Sequence, residues 1–381
     1  MRTGIANLPL HYGSAPPWLF QRMAKLAREI TVFVVSEFGA SEMLLKLSDP
    51  FWFQSFGCVL GFDWHSSGLT TTTCGALKEG IKGLEKDLGL FIAGGKGATS
   101  RKTPSQIESN RFLAQNKALE LVYASKMSAK VDNTAVQDGY QLYHHSFIFT
   151  SKGDWTVVQQ GMNDLNRMAR RYHWHYSKVQ SSPDASVGIP TLRREKIEDQ
   201  KGDDYEELDF VDEPHSGIIT TKRAKTLNLV AHESEKSREV ITEISKEKVE
   251  KNIGQVKRIL NLAPHHQVNT KDLNPNSLKR ILLKTYTSQP QNFEKLLGIY
   301  GVGPKTIRSL ALISELIYGA KPSFRDPAKF SFAHGGKDGY PYPVDRKNYD
   351  KSIEILKEAV IKAKIGEKEK VEAIKRLAYI K

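Results

Sequence analysis

Cysteine is nearly absent: the 381 residues contain two, Cys58 and Cys74. That excludes a disulfide framework, a cysteine-rich zinc finger and a four-cysteine iron–sulfur cluster, and two scattered thiols fit a reducing compartment. Long apolar runs are missing as well. The longest near the start, Ile30 to Val35, is far below a membrane span. The opening residues lack the layout of a signal peptide, so the chain is expected to be soluble and cytoplasmic. The glycine-rich GGKGATSRK (94–102) lacks the GK[ST] ending of a P-loop, which argues against an ATPase. Acidic residues fall short of basic ones, 43 against 56, and the resulting net charge of +13 favours a polyanionic partner, nucleic acid first among them.

What is present reads as an α+β chain. Pro16–Pro17 opens a helix that closes near Gly39, with Leu19, Met23, Leu26 and Ile30 recurring at helical spacing. From Phe51 to Gly97, glycines and the run Thr70 to Thr73 suggest short segments joined by tight turns. Residues 105–130 read as a helix, 142–150 and 155–162 as two strands around the turn SKGD, and Asp164 to about Tyr172 as another helix. Ten acidic residues between Arg193 and Glu213 mark a solvated linker or insertion. A charged surface helix is expected over 233–260, and one or two Lys/Glu-rich helices over 346–381. The domain division that follows is a mixed α/β domain with a small sheet over 1–220, a charged connector over 221–235, and a mainly helical domain over 236–381.

FEKLLGIYGVGPKTIRSLALISELIYG (293–319) is the most informative stretch. Its pattern predicts a short helix, a GVG turn at 301–303, and a second helix with Gly303 at the N-cap and Pro304 at the first helical position. The second helix would bury Ile307, Leu310, Ala311, Ser314 and Ile317. Glycines allow close approach of a phosphate backbone, and N–H groups at a helix start point at a phosphate. The DNA-binding candidates are accordingly Gly301, Gly303, Lys305, Thr306 and Arg308. The segment resembles the helix-hairpin-helix superfamily, over 291–318, and more narrowly the DNA glycosylases with abasic-site lyase activity. That resemblance implies Lys305 as a Schiff-base nucleophile and Asp345, in PYPVDRKNYD (341–350), as its carboxylate, acting on damaged or distorted duplex DNA. Over nearly the whole chain, HYGSAPPWLFQRM, FGCVLGFDWHSSGLTTTTCGALKEG and WTVVQQGMNDLNRMARRYHW resemble an uncharacterised archaeal and bacterial family, which implies no activity.

Further candidates lie outside the hairpin. Lys96, Arg101 and Lys102 surround the glycine turn of 94–102 and suit phosphate contact. His173 and His175, with His144 and His145, are the candidate ligands if the chain is instead a metal-dependent nuclease with its active site in the first domain; otherwise no cofactor is expected. On a strand, His144 and His145 would face opposite sides. WTVVQQ carries glutamines where a restriction-type nuclease wants an acid–x–lysine. ARRYHWHY (169–176) mixes aromatic and basic residues as a base-stacking surface would. FDWHSSG (62–68) reads as a structural turn. A non-enzymatic nucleic-acid-binding protein is the third reading.

Overall fold

The structure, a computed structural model, describes residues 8–10, 15–63, 65–177, 194–198, 204–220, 223–260, 273–328 and 346–378. Helix α1 (Pro17–Phe38) is bounded as its termini dictate. Pro17 takes the first helical position, and Gly39, at φ +88°, stops the helix; Met23, Leu26 and Ile30 are buried along it. Next come α2 (Ala40–Ser48), α3 (Pro50–Leu60), α4 (Gly68–Gly80) and the one-turn α5 (Glu85–Leu88). The turn-rich reading of this stretch is overturned: Gly57, Gly75 and Thr70 to Thr73 lie within α3 and α4, and Gly68 opens α4. Close packing explains small residues here. A Cβ at Gly80 would stand 2.5 Å from the Ala24 carbonyl oxygen, so α4 crosses α1 at backbone contact.

Strand β1 (Leu90–Lys96) leads through α6 (Thr103–Glu108) to α7 (Gln115–Lys130), which are separate helices rather than one. Then follow β2 (Val136–Gln137), β3 (Gln141–Thr150), β4 (Trp155–Asn163), β5 (Met168–Tyr176), β6 (Arg194–Glu198), β7 (Asp204–Leu208), β8 (His215–Ile219) and β9 (Leu227–Asn228). Five of these strands form one antiparallel sheet in the order β1-β3-β4-β5-β8. The β3–β4 hairpin is where the sequence places it.

The helix expected over 164–172 is strand β5 instead. Both its faces are buried, so the alternation that announces a half-exposed strand is missing, and its two arginines look like surface residues. Neither is at the surface. Arg170 pairs with Asp138 at 2.8 Å and Asp326 at 2.6 Å. Arg171 donates to Gln54, Thr70, His173 and the Pro50 carbonyl. The acidic stretch is likewise more than a linker: β6 and β7 pair as a two-stranded sheet, Phe210 stacks on Trp155 in the core, and β8 completes the main sheet.

The remaining helices are α8 (Glu235–Ser245), α9 (Val249–Leu260), α10 (Pro275–Ser288), α11 (Phe293–Gly298), α12 (Pro304–Leu316), α13 (Arg346–Lys362) and α14 (Glu367–Ala378). The single helix expected over 233–260 is thus two. Strand alternation sends Phe147, Trp155, Val157 and Trp174 to one side of the sheet, where they share a core with Leu121, Ile241, Leu296 and Ile313. Ile148 and Val158 face the other side, into a core with Met23, Leu47, Trp52, Leu77 and Leu356. The result is three layers, with α1–α4, α13 and α14 on one face and α7–α12 on the other. The first of these cores takes in residues from both sides of 221–235. Among the described residues, no helix is long and apolar enough to cross a membrane.

Candidate nucleic-acid interface

Helices α11 and α12 form the hairpin that the sequence predicts. Asn292 caps α11 by accepting from the Lys295 N–H at 2.9 Å. The chain leaves α11 at Ile299, and the Val302 N–H donates to the Ile299 carbonyl at 3.1 Å, closing the turn. Gly301 sits inside it at φ +97°, a conformation that side chains resist. Gly303 is the N-cap of α12 and Pro304 its first residue. Ile307, Leu310, Ala311 and Ser314 are buried as expected, whereas Ile317 lies just past the helix end and is 44% exposed.

Distant residues hold the turn in place. Val302 is fully buried, and its carbonyl accepts from Lys130 Nζ at the end of α7. Burial there lowers the Lys130 pKa below the usual lysine value. Gln137 Nε2 donates to the Pro304 carbonyl at 3.0 Å, and Arg308 Nε donates to Gln137 Oε1 at 2.8 Å. Arg308 is therefore partly engaged within the protein, and Thr306 is buried. Lys305 is exposed at the second position of α12. Two residues that the sequence reading omits stand at the tip: Tyr300, 87% exposed, and Lys284, whose Nζ lies 4.8 Å from the centre of the Tyr300 ring. A large aromatic residue inside a tight turn is the signal that marks Tyr300. Lys130 and Gln137 are more than 160 residues away in sequence, and nothing local points to them.

One property of Gly303 separates it from a merely convenient residue. Its φ of −141° and ψ of −175° are extended values that any residue adopts. A Cβ built on it would have the Gly301 carbonyl oxygen, at 3.9 Å, as its nearest neighbour. The described residues leave room there for a side chain, beside first-turn N–H groups that have no acceptor within the helix.

The second basic candidate, the loop after β1, exposes Lys96, Arg101 and Lys102. Here packing explains the first glycine: a Cβ at Gly94 would stand 2.2 Å from the His145 carbonyl oxygen. Lys78 Nζ and Gln106 Oε1 brace the loop from within, bonding the Gly94 carbonyl at 2.9 Å and N–H at 2.8 Å.

The histidines are core residues. His145 faces α7 and bonds Ser125 and Gln159, whereas His144, on the opposite face, bonds Ser146. His173 and His175 share a face, but His173 donates from Nδ1 to the Leu47 carbonyl and accepts at Nε2 from Arg171, and His175 bonds Thr156. Among the described residues, no group of three His, Cys, Asp or Glu is placed to hold a metal ion. The base-stacking reading of 169–176 is overturned too, because Tyr172, Trp174 and Tyr176 are all buried. Cys58 and Cys74 are buried thiols pushed up to about 12, mainly by burial.

Burial also lowers the histidine pKa values, His144 to about 3 and His175 to about 4, with His145 and His173 moved in the same direction. The folded protein therefore keeps these rings neutral, while the unfolded chain takes up protons near 6.5. Stability is full above about pH 6.5 and is lost as pH falls below it, by up to about 1.4 kcal/mol per pH unit for each of His144 and His175. Urea titrations followed by tryptophan fluorescence should show the midpoint dropping steadily between pH 7 and pH 5. A flat profile would contradict neutral burial.

The fold and the hairpin define a three-layer α/β/α protein with a basic, glycine-turned helical hairpin on one side of its sheet. The chain belongs to the family described as protein of unknown function (DUF763), which matches residues 4–201 and 200–344. That match carries no helix-hairpin-helix assignment. No curated protein and no solved structure matches the chain.

Proposed function

We propose that this protein binds DNA through its phosphate backbone, with the hairpin of α11 and α12 as the grip, in DNA repair or processing. The observation that carries the reading is the open position at Gly303, next to the start of α12. Among the described residues no packing partner requires glycine there, whereas a phosphate oxygen approaching the helix N–H groups would. The exposed Lys305, and a net charge of +13, supply the cationic surroundings such a contact needs. Phosphate contacts of this kind position a protein on DNA without reading its sequence.

A second reading, abasic-site lyase chemistry, is favoured by the position of Lys305, an exposed residue in the first turn of α12 beside the same phosphate position. Its unprotonated Nζ would attack C1′ of the open-chain aldehyde at an abasic site, expel water and form an imine, which borohydride reduces by hydride transfer to a stable secondary amine. Asp345, which the resemblance pairs with it, lies outside the described residues.

One experiment addresses both readings. Wild-type protein and Lys305→Gln are titrated with duplex containing an abasic site at rising salt, then treated with borohydride. Binding should weaken steeply with salt for both proteins, the variant showing a slope shallower by about 0.9. Covalent adduct with wild type but not with Lys305→Gln supports the lyase. Salt-dependent binding without adduct leaves the hairpin as a binding module, and the absence of binding at low salt overturns both.

A further inference from the structure

The tip of the hairpin carries more than a phosphate site. Tyr300 presents nearly its whole ring to solvent, and Lys284 holds that ring from one side, through the ammonium 4.8 Å from its centre and a 3.4 Å bond to the Tyr300 carbonyl. An exposed aromatic ring restrained in this way costs less to order on a ligand than a free one. In the interior of a duplex both faces of each base are covered by their neighbours, so away from a duplex end the ring finds a partner where a base is unpaired.

The surface leading away from the tip continues the pattern. Helices α7 and α11 lie side by side, matched in order by Tyr123 with Glu294, Met127 with Gly298, and Lys130 with Val302. Along this seam Tyr123 is 38% exposed with Lys295 Nζ 5.3 Å from its ring centre, and Lys126 is exposed one turn further on. From Tyr123 to Lys130 the helix rises about 10 Å, room for two to three nucleotides at roughly 3.4 Å each. Two cation-backed aromatic rings, one at the tip and one on α7, together with the exposed Lys126 supply the stacking and charge that a single strand needs.

We infer that the preferred substrate is DNA in which an unpaired strand adjoins a duplex. The hairpin grips the backbone, Tyr300 stacks on the first unpaired base, and the strand passes Lys126 toward Tyr123. This inference rests on the DNA-binding reading of the hairpin.

The test compares a blunt duplex with the same duplex extended by a single-stranded tail of either polarity, by fluorescence anisotropy, with 2-aminopurine at the first unpaired position. Wild type is expected to bind one tailed duplex about tenfold more tightly than the blunt one and to quench the 2-aminopurine. Tyr300→Ala should remove most of the preference, read as the ratio of tailed to blunt affinity, and the quenching, and Tyr300→Phe should restore both. The side chain is solvent-exposed, so neither variant threatens folding. Equal affinity of wild type for blunt and tailed DNA, or a preference that survives Tyr300→Ala, would overturn the inference and leave the hairpin reading standing. If duplex binding is indifferent to Gly303→Val, or no DNA binds, the hairpin reading falls and takes this inference with it. Tighter binding of a tail of the same sequence in RNA would overturn the assignment to DNA.

Discussion

Gly303→Val is expected to keep its fold and to bind duplex DNA about ten- to hundredfold more weakly, the loss of one hydrogen bond to a charged group at about 1.5–3 kcal/mol. The backbone at this position is extended, where a β-branched residue is at ease. Among the described residues outside the adjoining chain, the nearest atom to a Cβ is 3.9 Å away, so none of them blocks the added methyl groups. Exchanging glycine for valine at an N-cap lowers stability by about 1 kcal/mol or less. Those same methyl groups would stand between the first turn of α12 and an incoming phosphate. Thermal unfolding measures the first effect and anisotropy over a range of salt concentrations the second. A folded variant that binds like wild type would remove the hairpin as the grip.

The largest effect on stability is expected from Arg170→Met, a loss of about 3–5 kcal/mol. Arg170 is fully buried between Asp138 and Asp326, which hold its guanidinium firmly protonated. Methionine fills similar space but leaves two buried carboxylates without a cation. Some of their bonds survive: Asp138 accepts from Tyr172 Oη at 2.6 Å, and Asp326 from the Ala224 and Ala328 N–H groups, each at 2.8 Å. The sign of the pH dependence follows. Burial already holds the Asp138 carboxyl above the usual carboxylate value, and losing the Arg170 cation raises it further, so the folded variant takes up a proton before the unfolded chain on acidification. The stability deficit relative to wild type should shrink as pH falls toward 4 and be full at neutral pH. Adding Asp138→Asn and Asp326→Asn to the arginine change should recover part of the loss at pH 7. Urea midpoints at both pH values measure this, and a deficit independent of pH would assign the effect to packing alone. Asp138 directly follows Gln137, and Asp326 lies ten residues beyond α12, so this cluster also ties the sheet to both sides of the hairpin.

Where local rules suffice, the sequence is legible. The proline and glycine at the ends of α1, the turn between β3 and β4, and the Gly303–Pro304 start of α12 each act within a few residues. Where a residue answers to a distant partner, local reading fails. Arg170 and Arg171 look like solvent-facing charges on a helix because Asp138, Asp326 and Gln54 are invisible from there. Helical glycines look like turns because the backbone that crosses Gly80 is more than fifty residues away. The buried rings of 169–176 look like a stacking surface because both layers that cover them come from elsewhere.

The sequence by itself determined the α+β class, the net positive charge, the lack of a cysteine framework and the hairpin with its capping glycine and proline. Each of these is a sum over composition or a short-range matter of backbone conformation. Only the tertiary structure decided that the acidic stretch leads into the fifth strand and that the histidines are packed as neutral core residues. It also decided that no described residue packs on Gly303 and that Tyr300 projects from the tip with Lys284 behind it. Exposure and burial belong to the packed layers together, and no short stretch of chain specifies what will cover it.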